Sequence, residues 1–289
     1  MSNMTSKIYE HEIPKGSRLY FGKSAMLKRN IESVASNLLN KEGFNEIVTP
    51  YFSYHQDLSV NSLSLIRFSD IENNEISLRA DSTIDVARIV QRRLKDTKQN
   101  KWFYIQPVFK YPSNEVNQIG AEIFGQNDLS VGVEIAINLF KEFKIYPYLQ
   151  ISNMEIPKLV CSLLNLDISV FEKAEIEKIY TQKQPWLEKL CLLSKPNQII
   201  EIIPEVPQEL KEPLNEIKEL AISSKYENIC VAPLYFSSMR YYDKLFFRFL
   251  HKNKYLSSGG SYEIGGVKSC GFCIFTDAMI ENLIETKGL

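Results

Sequence analysis

The sequence predicts an α+β fold, an antiparallel sheet flanked by helices. Two observations carry that expectation. Strand patterns pair into hairpins more often than they alternate with helices in β-α-β units. Strand-rich blocks also stand on both sides of a long stretch rich in leucine, isoleucine, glutamate and lysine. The expected organisation is a core in two parts, residues 1–153 and 228–289, separated by a helical insertion over 154–227.

Between Lys23 and Glu42 the residues Leu27, Ile31, Val34, Ala35, Leu38 and Leu39 recur at helical spacing, and Gly43 supplies the stop. EIVTPYFSY follows as an extended segment with β-branched residues ahead of Pro50. IRFSDIENNEISLRAD predicts a hairpin that turns on Glu72-Asn73-Asn74, because asparagine tolerates the left-handed backbone of a tight turn. Asp81 or Ser82 can cap the helix STIDVARIVQRRL, whose buried face is Ile84, Ala87, Val90 and Leu94. KWFYIQPVFKY and VNQIGAEIFG are strands on either side of a short tip at Pro112, and a helix runs from about Ser130 to Phe143. In the leucine-rich stretch, prolines at 157, 185, 196, 204, 207 and 213 punctuate short helices. Strands return in ICVAPLYFSS, RYYDKLFFRFL and SCGFCIF, separated by the glycine-rich SSGGSYEIGG, and DAMIENLIETK is a final helix.

A hydrophobic content of 44% is ample for a packed core. The 34 basic residues nearly cancel the 35 acidic ones, so the chain lacks the global basic footprint of a nucleic-acid binder and tRNA is not an expected partner. The charge run QRRLKDTKQNK, Gln91 to Lys101, reads as a solvated helix end. Apolar runs stop well short of the ~20 residues a bilayer span needs, so no membrane association is expected. The opening MSNMTSKIYEHE has no apolar signal core, which favours the cytoplasm. Five scattered cysteines do not suggest a disulfide framework. Cys270 and Cys273 form a C-x-x-C, but zinc would want two further ligands, and His11, His55 and His251 are isolated. Packed thiols on a strand are the expected reading, with no metal. GxxxxGK[ST], GxGxxG and GxSxG motifs are all missing, and no cofactor is expected.

In this order, the elements resemble the catalytic core of class II aminoacyl-tRNA synthetases, and among them the histidyl branch. LRADSTIDVAR is similar to that branch's leucine-arginine-proline-glutamate-x-threonine segment, with Asp81 at the acid, Thr83 at the threonine and Arg88 at the later arginine. NQIGAEIFG resembles its glutamine-x-glycine-x-glutamate strand and places Gln118 and Glu122; RYYDKLFF resembles its double-tyrosine strand and places Tyr241 and Tyr242. GGSYE stands where the family has glycine-glycine-arginine-tyrosine-aspartate. The resemblance spans about 1 to 153 and 228 to 289. It implies a pocket for free histidine formed by Asp81, Thr83, Arg88, Lys110, Gln118, Glu122, Tyr241 and Tyr242. Asp81 and Gln118 would face the ammonium, Glu122 and Tyr242 the imidazole, and Tyr241, Arg240 or Arg88 the carboxylate. Neighbours on a strand face opposite ways, so only one of the two tyrosines is expected in the pocket, Tyr242 being favoured.

The departures from the pattern bear on activity. Amino-acid activation in the family uses arginines that brace the ATP phosphates, and the planar guanidinium suits this better than a point charge. Lys110 stands at the first such position, only Pro112 to Asn117 separate Tyr111 from Gln118 where the family has a longer loop, and Ala278 stands at the arginine that opens the last helix. One lost donor typically costs about 3–4 kcal/mol in transition-state stabilisation, so adenylation is not expected and no residue is assigned a catalytic role. Asp81 is also one methylene shorter than the usual glutamate, and Ser261 replaces an arginine. Sixteen residues follow Cys273, and no anticodon-binding domain is expected. This combination resembles the histidyl-synthetase-like regulatory subunits of ATP phosphoribosyltransferase. It implies a catalytic-subunit partner, feedback by histidine in the first step of histidine biosynthesis, and a homodimer through the first helix and the Pro50 strand inside a hetero-oligomer. Two other readings stay open: a small active ligase using Lys110 with Arg79 or Arg92 on the phosphates, and a tRNA- or protein-interaction module.

Overall fold

The computed structural model describes residues 12–237, 239 and 241–287. Arg240, His11 and most of the amino-terminal stretch lie outside the described residues. The chain opens with helix α1 (Gly22–Lys41), short strands β1 (Asn45–Glu46) and β2 (Phe52–Ser53), and the hairpin β3 (Arg67–Ser69) and β4 (Glu75–Leu78). Helix α2 (Thr83–Arg93), the long hairpin β5 (Lys101–Lys110) and β6 (Asn114–Phe124), helix α3 (Leu129–Glu142) and strand β7 (Tyr148–Asn153) come next. Six helices follow: α4 (Glu155–Leu164), α5 (Ser169–Glu172), α6 (Ile176–Tyr180), α7 (Pro185–Leu192), α8 (Gln198–Ile202) and α9 (Gln208–Ser223). The chain then returns through β8 (Ile229–Val231), β9 (Tyr242–His251), β10 (Lys254–Ile264) and β11 (Val267–Phe275) to helix α10 (Thr276–Lys287).

Eight strands form one sheet in the order β1-β5-β6-β11-β10-β9-β7-β8. Its five central pairs are antiparallel, whereas β1–β5 and β7–β8 at the two edges are parallel. The sheet is therefore mixed at its margins. A parallel pair needs a long crossover, and the six helices between β7 and β8 supply one. Their buried residues, among them Val160, Leu187, Leu210 and Ile217, belong to the same apolar cluster as Phe103, Ile119, Phe247 and Ile274 of the sheet, so the crossover packs on the sheet's core face together with α1, α3 and α10. The other face packs against α2 through a second cluster of Val86, Ala87, Val90, Trp102, Tyr104, Phe124 and Tyr262, and a small three-stranded sheet, β2-β4-β3, is tied to β5 where Phe109 N donates to Arg79 O just after β4.

Three expectations from the sequence are corrected. Gly259 and Gly260 are not part of a separator but sit inside β10; only Gly265-Gly266, at φ +59° and +77°, makes the two-residue turn to β11. Ser261 consequently lies in a strand, opposite Cys270 of the core cluster, and points away from the α2 face. The prolines do not all separate helices. Pro157 is in the first turn of α4, where an N–H would be unpaired anyway, and Pro213 lies inside α9, buried among its apolar face. The hairpin turn at Asn73 does adopt the left-handed conformation, at φ +62°.

Candidate amino-acid pocket

The β5–β6 register decides which side chains meet. Lys110 pairs with Asn114 across a three-residue tip, which sets Gln106 opposite Gln118, Tyr104 opposite Gly120 and Trp102 opposite Glu122. Gln118, Gly120 and Glu122 share the α2 face of the sheet, since side chains alternate along a strand, while Ile119, Ala121 and Ile123 enter the core. On the neighbouring strand Gly271 lies directly beside Glu122. A Cβ there would collide with the Glu122 carboxylate, one on Gly120 would collide with the Tyr104 ring, and one on Gly260 with the Tyr242 ring. Glycine at these positions is what allows large polar side chains to lie flat over the sheet.

Glu122 is 1% exposed and accepts hydrogen bonds from Tyr262 Oη at 2.7 Å and Tyr104 Oη at 3.2 Å. Burial pushes its carboxyl up to about 8, although the hydroxyls of Tyr262, Thr83 and Tyr104 pull the other way. Asp81 lies at the entry to α2, where its Oδ1 accepts from Ile84 N at 3.4 Å and its Oδ2 from Tyr241 Oη at 3.3 Å. Burial raises Asp81 to about 6, offset by the Ile84 N–H, the charge of Lys110 and the Tyr241 hydroxyl. The backbone that presents it is fixed from below. Gln56 Oε1 accepts from both Ala80 N and Asp81 N at 2.8 Å, and the fully buried Arg79 donates to the carbonyls of Thr49, Pro50 and Pro107. Arg79 is thereby committed to backbone oxygens and is not free for a phosphate.

Of the residues expected in the pocket, Asp81, Thr83, Glu122, Tyr241 and Tyr242 come together. Tyr241 and Tyr242 both take part, their ring centroids 4.6 Å apart, because Tyr241 precedes β9 and the strand's alternation does not apply to it. Lys110 reaches the same space, close enough for its charge to act on Asp81 and Cys273. Gln118 is on the right face but about 13 Å along the strand from Glu122, toward the hairpin tip. Arg88 is not brought to Glu122. Five residues on from Thr83 it stands roughly 140° round the helix axis, beside Asp85 and Arg92 on the far side of α2. Cys270 and Cys273 face opposite sides of β11, Cys270 in the core. A cleft of about 610 Å³ reaches Tyr242 from outside, lined also by Asn61, Lys158 and Ser237.

Two side chains that hold Glu122 have no assigned part in the sequence reading, Tyr104 and Tyr262. The signal for both is register. A three-residue tip pairs residues whose numbers sum to 224, which places Tyr104 beside Gly120, and the two-residue Gly265-Gly266 turn places Gly260 beside Gly271 with Tyr262 one step further out.

A mixed sheet with this strand order, a polar pocket on one face and helices on the other defines the catalytic-core fold of class II aminoacyl-tRNA synthetases. A regulatory subunit/histidyl-tRNA synthetase of ATP phosphoribosyltransferase type from Bacillus halodurans C has the same fold, with a TM-score of 0.85 at 22% identity over 96% of this chain and 84% of that one. The chain belongs to the histidyl-tRNA synthetase family, whose model matches residues 22–278, and within it to the branch of ATP phosphoribosyltransferase regulatory subunits. Two proteins of that name are similar to it over nearly their whole length. The one from Wolinella succinogenes is 44% identical over 281 residues, 96% of this chain and 98% of that protein; the one from Helicobacter hepaticus is 40% identical over 281 residues, 96% and 100%.

Proposed function

We propose that this chain is a non-catalytic regulatory subunit of ATP phosphoribosyltransferase that binds free histidine and a catalytic subunit in the cytoplasm, and so sets the rate of the first step of histidine biosynthesis. The observation that carries the reading is the contrast between Glu122, enclosed by two tyrosine hydroxyls, and the hairpin tip, where a lysine, Lys110, stands at the strand end and three residues make the turn. A buried group left unpaired costs roughly 1–3 kcal/mol, so an ammonium and an imidazole are the chemical complements of Asp81 and Glu122. Histidine carries both. Thr83, Tyr241, Tyr242, Gln118 and Lys110 complete the proposed set, with Lys110 replacing Arg88 as the candidate for the ligand carboxylate.

Residues 154–227 are proposed as an insertion that elaborates the core, in keeping with six helices between the parallel neighbours β7 and β8. A homodimer is supported by exposed apolar side chains along α1 and ahead of β2: Met26 (74% exposed), Val48 (79%) and Tyr51 (54%). Five free cysteines suit a reducing compartment. No helix among the described residues is long and apolar enough to cross a membrane.

The test is a thermal-shift panel of the twenty amino acids and ATP, run beside ATP–pyrophosphate exchange. Stabilisation by histidine with exchange at background supports the reading. A large ATP shift, or exchange above background with any amino acid, points instead to a small active ligase.

A further inference from the structure

Helix α2 has two chemically different sides. Thr83 on one side belongs to the amino-acid pocket, while Arg88, Arg92 and Arg93 stand on the other around a groove of about 350 Å³ that is also lined by Phe52, Tyr54 and His55. The three arginines have no ion-pair partner among the described residues. Arg88 Nε is buried and has no hydrogen-bond acceptor. The neighbouring acid Asp85 accepts from Ser53 Oγ and Gln56 Nε2, each at 2.7 Å, and makes no hydrogen bond to the Arg88 Nε. His55 is depressed below its ordinary value by burial and then by the charges of Arg88 and Arg92, so the groove is a positive site. From Arg88 to Lys101 the sequence has six basic residues against the single acid Asp96, in a chain whose net charge is −1. The charge run that reads as a solvated helix end is therefore continuous with a groove in which three arginines face a single carboxylate, Asp85.

The groove's borders are apolar. Phe52 (57% exposed) in β2 and Tyr54 (60%) just after it both line the groove, and Phe68 packs edge-on against Phe52. Arginine and aromatic side chains together are the usual composition of a protein-binding hot spot, and a small anion would have no use for the aromatic border. We propose that an acidic segment of the catalytic partner docks in this groove, placing carboxylates against Arg88, Arg92 and Arg93 and apolar side chains against Phe52 and Tyr54. This inference rests on the proposed function and adds the place of contact. It also gives the coupling a physical carrier: an 11-residue helix with the ligand at its first residue and the partner on its outer side. Any free energy by which histidine alters partner affinity must reappear as an equal effect of the partner on histidine affinity.

The test measures binding of the full-length chain to the ATP phosphoribosyltransferase catalytic chain of the same cell by calorimetry and gel filtration, for wild type and for R92E/R93E. Both substituted residues are exposed, and a retained thermal shift with histidine verifies that the variant is folded. The expected result is a wild-type complex that weakens with added salt and a variant at least about tenfold weaker, still dimeric. Equal binding by the variant overturns the inference, as does loss of the dimer, which would make a second copy the occupant. Stabilisation of wild type but not variant by inorganic phosphate or by AMP, with partner binding unchanged, overturns it in favour of a small anion. Should the variant fail to fold, a wild-type complex indifferent to salt between 50 and 500 mM has the same force. Wild type that does not bind the catalytic chain sinks the proposed function itself, an outcome distinct from all the others.

Discussion

The two ends of β6 show what a strand can keep and what it can lose. At Glu122 the carboxylate lies against Gly271, takes hydrogen bonds from two tyrosines and is sealed from water. At Asn114, eight residues earlier, the hairpin turns over Tyr111–Ser113 with Tyr111 63% exposed. Both ends follow from the same register. Yet one end is over-determined by its neighbours and the other is held chiefly by the chain running past it, where Glu115 N donates to Gly16 O. A polar arrangement is held most firmly where several elements enclose it, because each hydrogen bond there is made in a site of low dielectric.

The largest expected effect breaks the enclosed end. Glu122→Gln should lower histidine affinity by about 100-fold or more, since it removes the charged partner of the imidazole while leaving the site buried. The same change should stabilise the ligand-free protein at pH 8.5–9. The sign follows from linkage: a carboxyl raised from 4.5 to about 8 binds its proton more tightly in the folded state, so folded stability rises as pH falls from 9 toward 5, and the cost of the ionised form is present above 8. Glutamine removes that cost, which should raise the melting temperature at high pH by about 2–4 °C for each kcal/mol recovered. A variant that binds histidine normally, or melts lower at pH 9, contradicts the reading.

Next in size is Gly271→Ala. Its Cβ would press on the Glu122 carboxylate and on the Ala121 carbonyl oxygen, and overpacking of this kind costs about 1–3 kcal/mol. Histidine affinity should fall about tenfold with a lower melting temperature, both read in one thermal-shift titration. A silent substitution would show that the carboxylate does not need to lie flat on the sheet.

Much of this was legible in the sequence, and the misses have a common cause. The helix of Ile31, Ala35 and Leu39, the hairpin at Asn73 and the polar side chains of β6 are local patterns, read from spacing and turn chemistry alone. What needed a second strand was missed. Tyr104 and Tyr262 reach Glu122 only through register, and the α2-facing side of Gly260 is invisible while the glycines are taken as a turn. Arg88 was misdirected for another reason: its identity fitted a motif, but its angle on the helix, five residues from Thr83, points it away. That angle was available from the sequence.

A smaller effect comes from pH. Asp81, raised to about 6, is ionised at pH 7.5 and about three-quarters protonated at pH 5.5, which by itself weakens ammonium binding about fourfold. Glu122 adds to this at both extremes. Near pH 7 its proton can pass to the ligand's imidazole; below pH 6 both groups carry one and a proton must leave, and above pH 8 neither does and one must be taken up. Histidine affinity should therefore peak between pH 6 and 8, with proton exchange close to zero at the maximum when calorimetry is repeated in buffers of different ionisation heat. A monotonic profile would disconnect Glu122 from the imidazole.

The smallest expected effect separates two roles for Tyr241. Its hydroxyl donates to Asp81 Oδ2 at 3.3 Å, a long bond from a half-buried residue, so Tyr241→Phe should weaken histidine binding only about threefold at pH 8. The hydroxyl also helps hold Asp81 in its charged form, and without it the carboxyl should titrate above 6. At pH 8 Asp81 is ionised in both proteins and that second effect vanishes; at pH 6 a larger share of the variant's Asp81 is protonated, so the loss should exceed the loss at pH 8. A tyrosine that positions and tunes the acid gives this widening gap, whereas one that touches the ligand directly gives the same ratio at both pH values, and dissociation constants of wild type and variant at pH 6 and pH 8 decide between them.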